Sequence, residues 1–269
     1  MAIVSAFIVP GSPLHYLCPD NPPWKPMVAA YETAREKLAA SRPDVIAIYS
    51  TQWLAVLDQL WQTRPHLEGV HVDENWYEYG DLPFDVRVDV KLAEACVDAA
   101  TKAGVKSKPV NYDAFPIDSG SIVAANLLNP GGIPLIMTSN NLYHDGPTTA
   151  KLGGIVAECA ARQNKRVAVI GVGLLSGGVF RQGINIEQDR LLSDADDDAN
   201  RTLLTALADG KSSALEAYLP DYLSNTKADM GLKHLSWVMG ALGNQYKGAE
   251  TLAYGPCYGS GAAIIDFKI

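Results

Sequence analysis

Five histidines, one glycine-rich stretch and one run of alternating acids are the parts of this 269-residue sequence whose chemistry could go beyond packing. His15 lies just past the loop Pro10-Gly11-Ser12-Pro13, His144 sits in Tyr143-His144-Asp145-Gly146, and His234 stands three positions before Trp237. An imidazole can ligate a metal or carry a proton, but a metal needs a complete ligand set. The plainer reading of each is a structural histidine, solvated or hydrogen-bonded. His66 and His71 fall in a polar loop region and read as surface. Gly171, Gly173, Gly177 and Gly178 follow an apolar strand and invite comparison with a phosphate-cradling loop. The dinucleotide fingerprint, however, needs glycine where Ser176 stands, and an acid about 20 residues on at the end of a second strand. Asp194, Asp196, Asp198 and Asn200 imitate the start of a calcium loop, yet position six is Ala199 and position twelve is Thr205. Ser193 and these acids are better read as the cap of a helix.

The elements that must position such residues alternate. Ala2 to Val9 is an apolar run stopped by Pro10 and Gly11; a proline-rich loop spans Cys18 to Pro26, and helical periodicity follows with Val28, Tyr31, Ala34 and Leu38 on one face. Asp44 to Ser50 is short, apolar and β-branched, as a strand covered on both faces should be. Asp85 to Ala103 reads as a helix with Val88, Leu92, Cys96 and Ala99 on one stripe and Gly104 as its stop. Ile133 to Ser139 and Arg166 to Val172 repeat the buried-strand pattern around a helix that turns Leu152, Ile155, Val156 and Cys159 inward. Leu191 to Gly243 is mostly helical, and two strands, Thr251 to Tyr258 and Ala262 to Phe267, close the chain around Gly259 to Gly261. The expected fold is α/β, a single domain over 1–269 with a mostly parallel central sheet flanked by helices.

Parallel sheets bind ligands beyond the carboxyl ends of their strands. Here those ends are Pro10-Gly11-Ser12-Pro13, Ser50-Thr51-Gln52-Trp53 and Gly171 to Gly178, which offer no strong nucleophile, acid or metal ligand. The segments VPGSPLHYLCPDNPP, STQW, DLPFDVRVDVKLAEAC and TSNN nevertheless resemble the class III extradiol (LigB-like) dioxygenases over nearly the whole chain. Catalytic members of that family hold ferrous iron with two histidines and one carboxylate, the facial triad that leaves positions open for substrate and dioxygen. The resemblance puts Gly11 where the first histidine belongs and Gln52, just before Trp53, where the second belongs. Asp229 falls near the family glutamate. Gly177 replaces a second-shell histidine after Leu175-Ser176, and Ser119 in Asp118-Ser119-Gly120 replaces a ring that would face substrate. Joint loss of these groups on a retained scaffold implies release from catalytic selection.

The chain is therefore expected to carry no catalytic residue and no metal site, but a vestigial pocket at Gly11, Ser12, His15, Gln52, Ser119, Gly177 and Asp229. The resemblance is strongest to non-catalytic alpha subunits of members that open the ring of 2-aminophenol. It implies no cofactor in this chain, Fe(II) in a catalytic beta subunit, and an α2β2 assembly. Two other readings stay open: an active iron dioxygenase with substitute ligands drawn from His15, His144, His234 and Asp229, and a metal-free nucleotide or anion module built on Gly171 to Gly178. A net charge of −8 without a Lys/Arg cluster argues against nucleic-acid partners. No segment has the ~18 apolar residues of a membrane span, and four scattered cysteines fit reduced thiols, so a cytoplasmic location is expected. Trp24, Trp76 and Tyr77 read as interface candidates, Phe84 as core.

Overall fold

The structure is a computed structural model that describes residues 2–177 and 183–269. Among the described residues the strands, in chain order, are β1 (Ile3–Val9), β2 (Val45–Ala55), β3 (Gln59–Gln62), β4 (His66–His71), β5 (Leu82–Arg87), β6 (Ser107–Val110), β7 (Leu135–Asn141), β8 (Val167–Val172), β9 (Ala249–Cys257) and β10 (Ser260–Phe267). Eight of them form one sheet in the order β6-β3-β7-β2-β8-β1-β10-β9, and β4 and β5 form a separate antiparallel hairpin. The four central strands β7, β2, β8 and β1 are mutually parallel, while β10 and β9 add an antiparallel edge.

The helices are α1 (Leu14–Leu17), α2 (Lys25–Ala40), α3 (Val90–Lys102), α4 (Ser119–Leu128), α5 (Gly146–Arg162), α6 (Asp194–Ala208), α7 (Ser212–Asn225) and α8 (Lys233–Leu242). They cover both faces of the sheet, because each central strand is apolar on both. Along β2, Val45, Ala47 and Tyr49 enter a core shared with α3, α5, α6 and α8, and Ile46 and Ile48 enter another shared with α2, α4 and the hairpin. The mostly parallel α/β architecture expected from the alternation is thus present.

Several boundaries differ from the sequence reading. Asp85 to Arg87 belong to strand β5, and Val88, expected on a helical stripe, instead bridges to Leu135; the helix starts only after Asp89, whose carboxylate accepts from the Leu92 amide. The periodicity was blind to this because strand and helix both bury Val86 and Leu92. Strand β2 does not stop at Ser50 but runs to Ala55, with an irregularity between Tyr49 and Leu54. The proline-rich segment after Cys18 contains a 3-10 turn at Pro22–Trp24, and α2 buries Met27 and Ala30 where Val28 was expected. Trp24 is fully buried, its Nε1 donating to Asp189 at 2.9 Å, so it is core and not interface. Phe84 is half-buried at the hairpin, whereas Tyr77 is exposed and Trp76 packs edge-on against Tyr258. His66 and His71 are the two ends of β4. The reading of Ser193 as a cap holds: its side chain accepts from the Asp196 amide at the start of α6.

Helices α5 and α8 cross at glycine. A Cβ on Gly240 would lie 1.9 Å from the Ala150 carbonyl oxygen, and one on Gly153 would lie 2.1 Å from that of Trp237. Backbone cannot yield as a flexible side chain can, so a methyl group here forces the helices apart, at roughly 1–3 kcal/mol or more. Gly240→Ala should lower the chemical-denaturation stability by at least that amount, while Gly131→Ala, whose added Cβ meets nothing within 4 Å, should leave it nearly unchanged.

Candidate functional site

The carboxyl ends of β1, β8 and β2 lie side by side, and of the expected pocket residues Gly11, Gln52 and Asp229 come to them. The Gln52 side chain reaches across the end of β8 and donates from Nε2 to the Gly11 carbonyl at 3.0 Å. A Cβ on Gly11 would lie 2.7 Å from Val172 Cγ1, 3.0 Å from Gln52 Nε2 and 3.1 Å from the Gly120 Cα. The position that the resemblance assigns to a first histidine therefore has neither a donor nor room for one. Gly120 is equally confined: its Cβ would lie 2.7 Å from Ser50 Oγ. Ser50 donates to Asp118 at 2.5 Å, and Asp118 also caps α4 by accepting from the Ser121 amide. Sequence reading missed Asp118 as a partner of the second strand end, although its cap position was visible as Asp before a small-residue helix start.

Asp229 does come to this end of the sheet. It lies on a 3-10 turn just before α8, and its Oδ2 accepts from Thr51 Oγ1 at 2.9 Å and from the Leu174 amide at 2.8 Å. Both bonds are charge-assisted and hold the carboxylate against the loop after β8. His234, one residue into α8, is completely buried, and neither ring nitrogen has a hydrogen-bond partner. Gly173 separates the two groups: a Cβ there would meet Asp229 Oδ2 and His234 Nδ1, each at 2.8 Å. Burial lowers the His234 pKa to about 4, with the Asp229 charge opposing that shift.

The other candidates disperse. His15 is buried on α1 beside Trp24 and Tyr31, also with both nitrogens unpartnered, so it is neither solvated nor hydrogen-bonded as expected; burial brings it to about 4. His144 is half-buried with Nδ1 unpartnered, and burial lowers its pKa with a further push from Lys233. Ser12 is buried, its Oγ near the Leu14 amide. Ser119 donates to Asp73 at 2.6 Å and lies 3.1 Å from His71 Nε2, which makes His71 part of a local network and not a free surface residue. Gly177 has φ +146, and a Cβ there would lie 2.0 Å from Ser260 Oγ, so no histidine fits at that position. Gly178 lies outside the described residues.

Among the described residues, the clusters of three potential ligand atoms within 4.8 Å of one another are His66, Glu68 and Asp85, and His71, Asp73 and Glu74. Neither includes His15, His144, His234 or Asp229, so the substitute-ligand set does not converge. The residues at the strand ends do not fit ferrous iron either. Gly11 offers no side-chain donor, Gln52 is a neutral amide already committed to a carbonyl, and Asp229 is occupied by two donors. Gly171, inside β8, does not open toward a phosphate either. A Cβ on Gly171 would lie 2.5 Å from the His234 carbonyl oxygen, so that glycine serves the packing of α8 on β8. Clefts of about 380 and 590 Å³ flank the hairpin, lined in part by Leu67 and Phe84 and by Val86 and Asn126.

With this geometry stand the comparisons. The family model described as catalytic LigB subunit of aromatic ring-opening dioxygenase matches residues 6–267. A relative from Pseudomonas sp., the 2-aminophenol 1,6-dioxygenase alpha subunit, is 47% identical over 271 residues, covering 100% of both chains. The 2-aminophenol 1,6-dioxygenase beta subunit from Pseudomonas sp. is 23% identical over 288 residues, covering 99% of this chain and 94% of the relative. An uncharacterized protein from Escherichia coli K12 shares the fold, with a TM-score of 0.65 at 13% identity over 98% of this chain and 99% of that one.

The buried imidazoles have a pH signature. With His15 and His234 near 4 in the native state against 6.5 when exposed, the unfolded chain takes up protons between those values and the native chain does not. Their contribution is complete above pH 6.5 and falls as pH drops toward 4. Urea unfolding should show a loss of about 2 kcal/mol per histidine between pH 7.5 and 5. His234→Gln should remove its share of that slope.

Proposed function

This chain belongs to the LigB family of aromatic ring-opening dioxygenases, and from that premise we propose that it is the non-catalytic, alpha-type subunit of a two-chain enzyme that opens the ring of 2-aminophenol to 2-aminomuconate 6-semialdehyde. The iron and the chemistry belong to a beta-type partner, in an α2β2 assembly working in the cytoplasm, and this chain contributes interface and stability. No helix among the described residues is long and apolar enough to cross a membrane, and Cys18, Cys96, Cys159 and Cys257 are all unbridged.

One observation carries the reading. The strand ends at which the family binds metal are filled from within, by Val172 against Gly11 and by the Gln52 amide on the Gly11 carbonyl. Loss of a ligand alone leaves a hole that a water or a new side chain could occupy. Here a Cβ at position 11 would crowd the Val172 and Gln52 side chains and the Gly120 Cα, so restoring histidine needs those neighbours to move as well as the substitution. The 47% identity to a chain named as an alpha subunit, with the beta subunit more distant at 23%, supports the division of labour.

The test is iron content. The chain, purified alone under anaerobic conditions with excess ferrous iron, should retain iron at well under one per chain and turn over no 2-aminophenol, and activity should require the catalytic chain. Gln52→His should leave the iron content unchanged. Near-stoichiometric iron in the wild-type chain would overturn the proposal.

A further inference from the structure

The carboxyl-end edge of the sheet, beyond the filled site, exposes apolar side chains. Strand β2 continues to Ala55 and the chain bends through Val56 and Leu57 into β3; Leu54, Val56 and Leu57 are 50%, 52% and 83% exposed. Strand β7 ends beside it in register, Leu54 opposite Asn140 and Ala55 opposite Asn141, and the Leu142 amide donates to the Ala55 carbonyl at 2.9 Å. Leu142 and Tyr143, 44% and 81% exposed, follow directly on the end of β7, so the five exposed apolar residues sit on adjoining strand ends. The bend after β2 is fixed in shape: Asp58, buried in it, is salt-bridged to Lys106 at 3.0 Å and Lys108 at 2.9 Å. Holding leucine at the tip of this turn in water is unfavourable, and exposed apolar surface of this kind marks interaction sites.

At the end of β7 sits a charge without a counter-ion. The Lys233 side chain is buried, and its Nζ donates to Asn140 Oδ1 at 3.2 Å and to the Asn141 carbonyl at 2.8 Å, both neutral acceptors. Among the described residues no carboxylate forms an ion pair with it. Burial lowers its pKa, with Asp145 only partly opposing the shift. A buried ammonium of this sort is stabilised by a carboxylate brought from outside.

We propose that this edge, Leu54, Val56, Leu57, Leu142 and Tyr143 over Lys233, is the docking surface for the catalytic chain of the two-chain enzyme. The inference rests on the function proposed above and locates its interface. The occupant is a chain of the same family and not a second copy of this one. A two-fold pairing of identical chains on this edge would bring two Lys233 ammonium groups toward each other. The beta-subunit relative aligns over 99% of this chain at only 23% identity, so a family chain with different residues is the partner that can supply the carboxylate. Tyr143 and Leu57, the most exposed, are the anchors.

The experiment pairs this full-length chain with its catalytic chain and measures assembly by sedimentation. Leu57→Asp with Tyr143→Asp should weaken assembly at least tenfold, with circular dichroism and Tm of the isolated chain unchanged. Val70→Asp, also exposed (60%) but on the β4–β5 hairpin, should assemble like the wild type. If the double variant assembles as tightly as the wild type, the docking surface is refuted while the proposed function stands. If the wild-type chains do not assemble at all, both are refuted. If this chain alone forms a dimer that the double variant dissolves, the occupant is a second copy and the inference fails.

Discussion

A single crowded point organises the carboxyl end of the sheet: a Cβ on Gly11 would fall 2.7 Å from Val172 Cγ1, and the Gln52 amide reaches across to the Gly11 carbonyl. It arises because β8 lies between β1 and β2, so a side chain from β2 must cross the end of β8 to reach the loop after β1. Glycine at 11 permits the approach, and the amide satisfies a carbonyl that would otherwise be left in a crowded, low-dielectric place. The same closure brings Gly120 and the start of α4 down onto Ser50, and Asp118 joins cap and strand with one carboxylate. A site of the family's kind requires an open space where three strand ends meet. In this chain Gly11 is crowded there by Val172 and Gln52.

Polar groups left behind by such a change have two fates. Asp229 has been absorbed: it binds Thr51 and the loop after β8, and so ties the α8 segment to the sheet. His234 and His15 have not; they are buried neutral, without partners among the described residues. Desolvation makes protonation of each costly, and this turns two apparent metal-ligand candidates into groups that oppose acid. Lys233 is the third case, a cation seated on carbonyl and amide oxygens under an apolar edge. Its burial is coherent if the subunit is one half of an assembly, in which surface and charge on one chain are completed by the other.

The division between what could be read and what could not follows the range of the interactions. Periodicity located the central strands and most helices because burial on both faces of a parallel strand leaves a continuous apolar run, and a helix on a sheet leaves a stripe. It failed at Asp85 to Val88, where a hairpin strand runs into a helix without a break in hydrophobicity, and at the end of β2, where Ser50 to Trp53 are polar enough to look like loop. Trp24 reads as an interface candidate from its proline-rich setting, but its indole N–H is satisfied by Asp189, 165 positions away.

By itself the sequence determined the alternating α/β order, the resemblance carried by its strand-end segments, and the identity of the residues at each family position: glycine has no donor whatever the fold, and glutamine is a poor ligand in any setting. Tertiary structure alone decided that Gly11 is crowded by Val172 and Gln52, that Gly177 has no room for a side chain, that Asp229 accepts two hydrogen bonds, and that Leu54, Val56, Leu57, Leu142 and Tyr143 stay exposed at adjoining strand ends. Residue type sets what a group can do and is local. Distances between Gly11 and Val172, or Leu57 and Tyr143, are set by which strands neighbour one another in the sheet, and that order is not written in any short stretch of the chain.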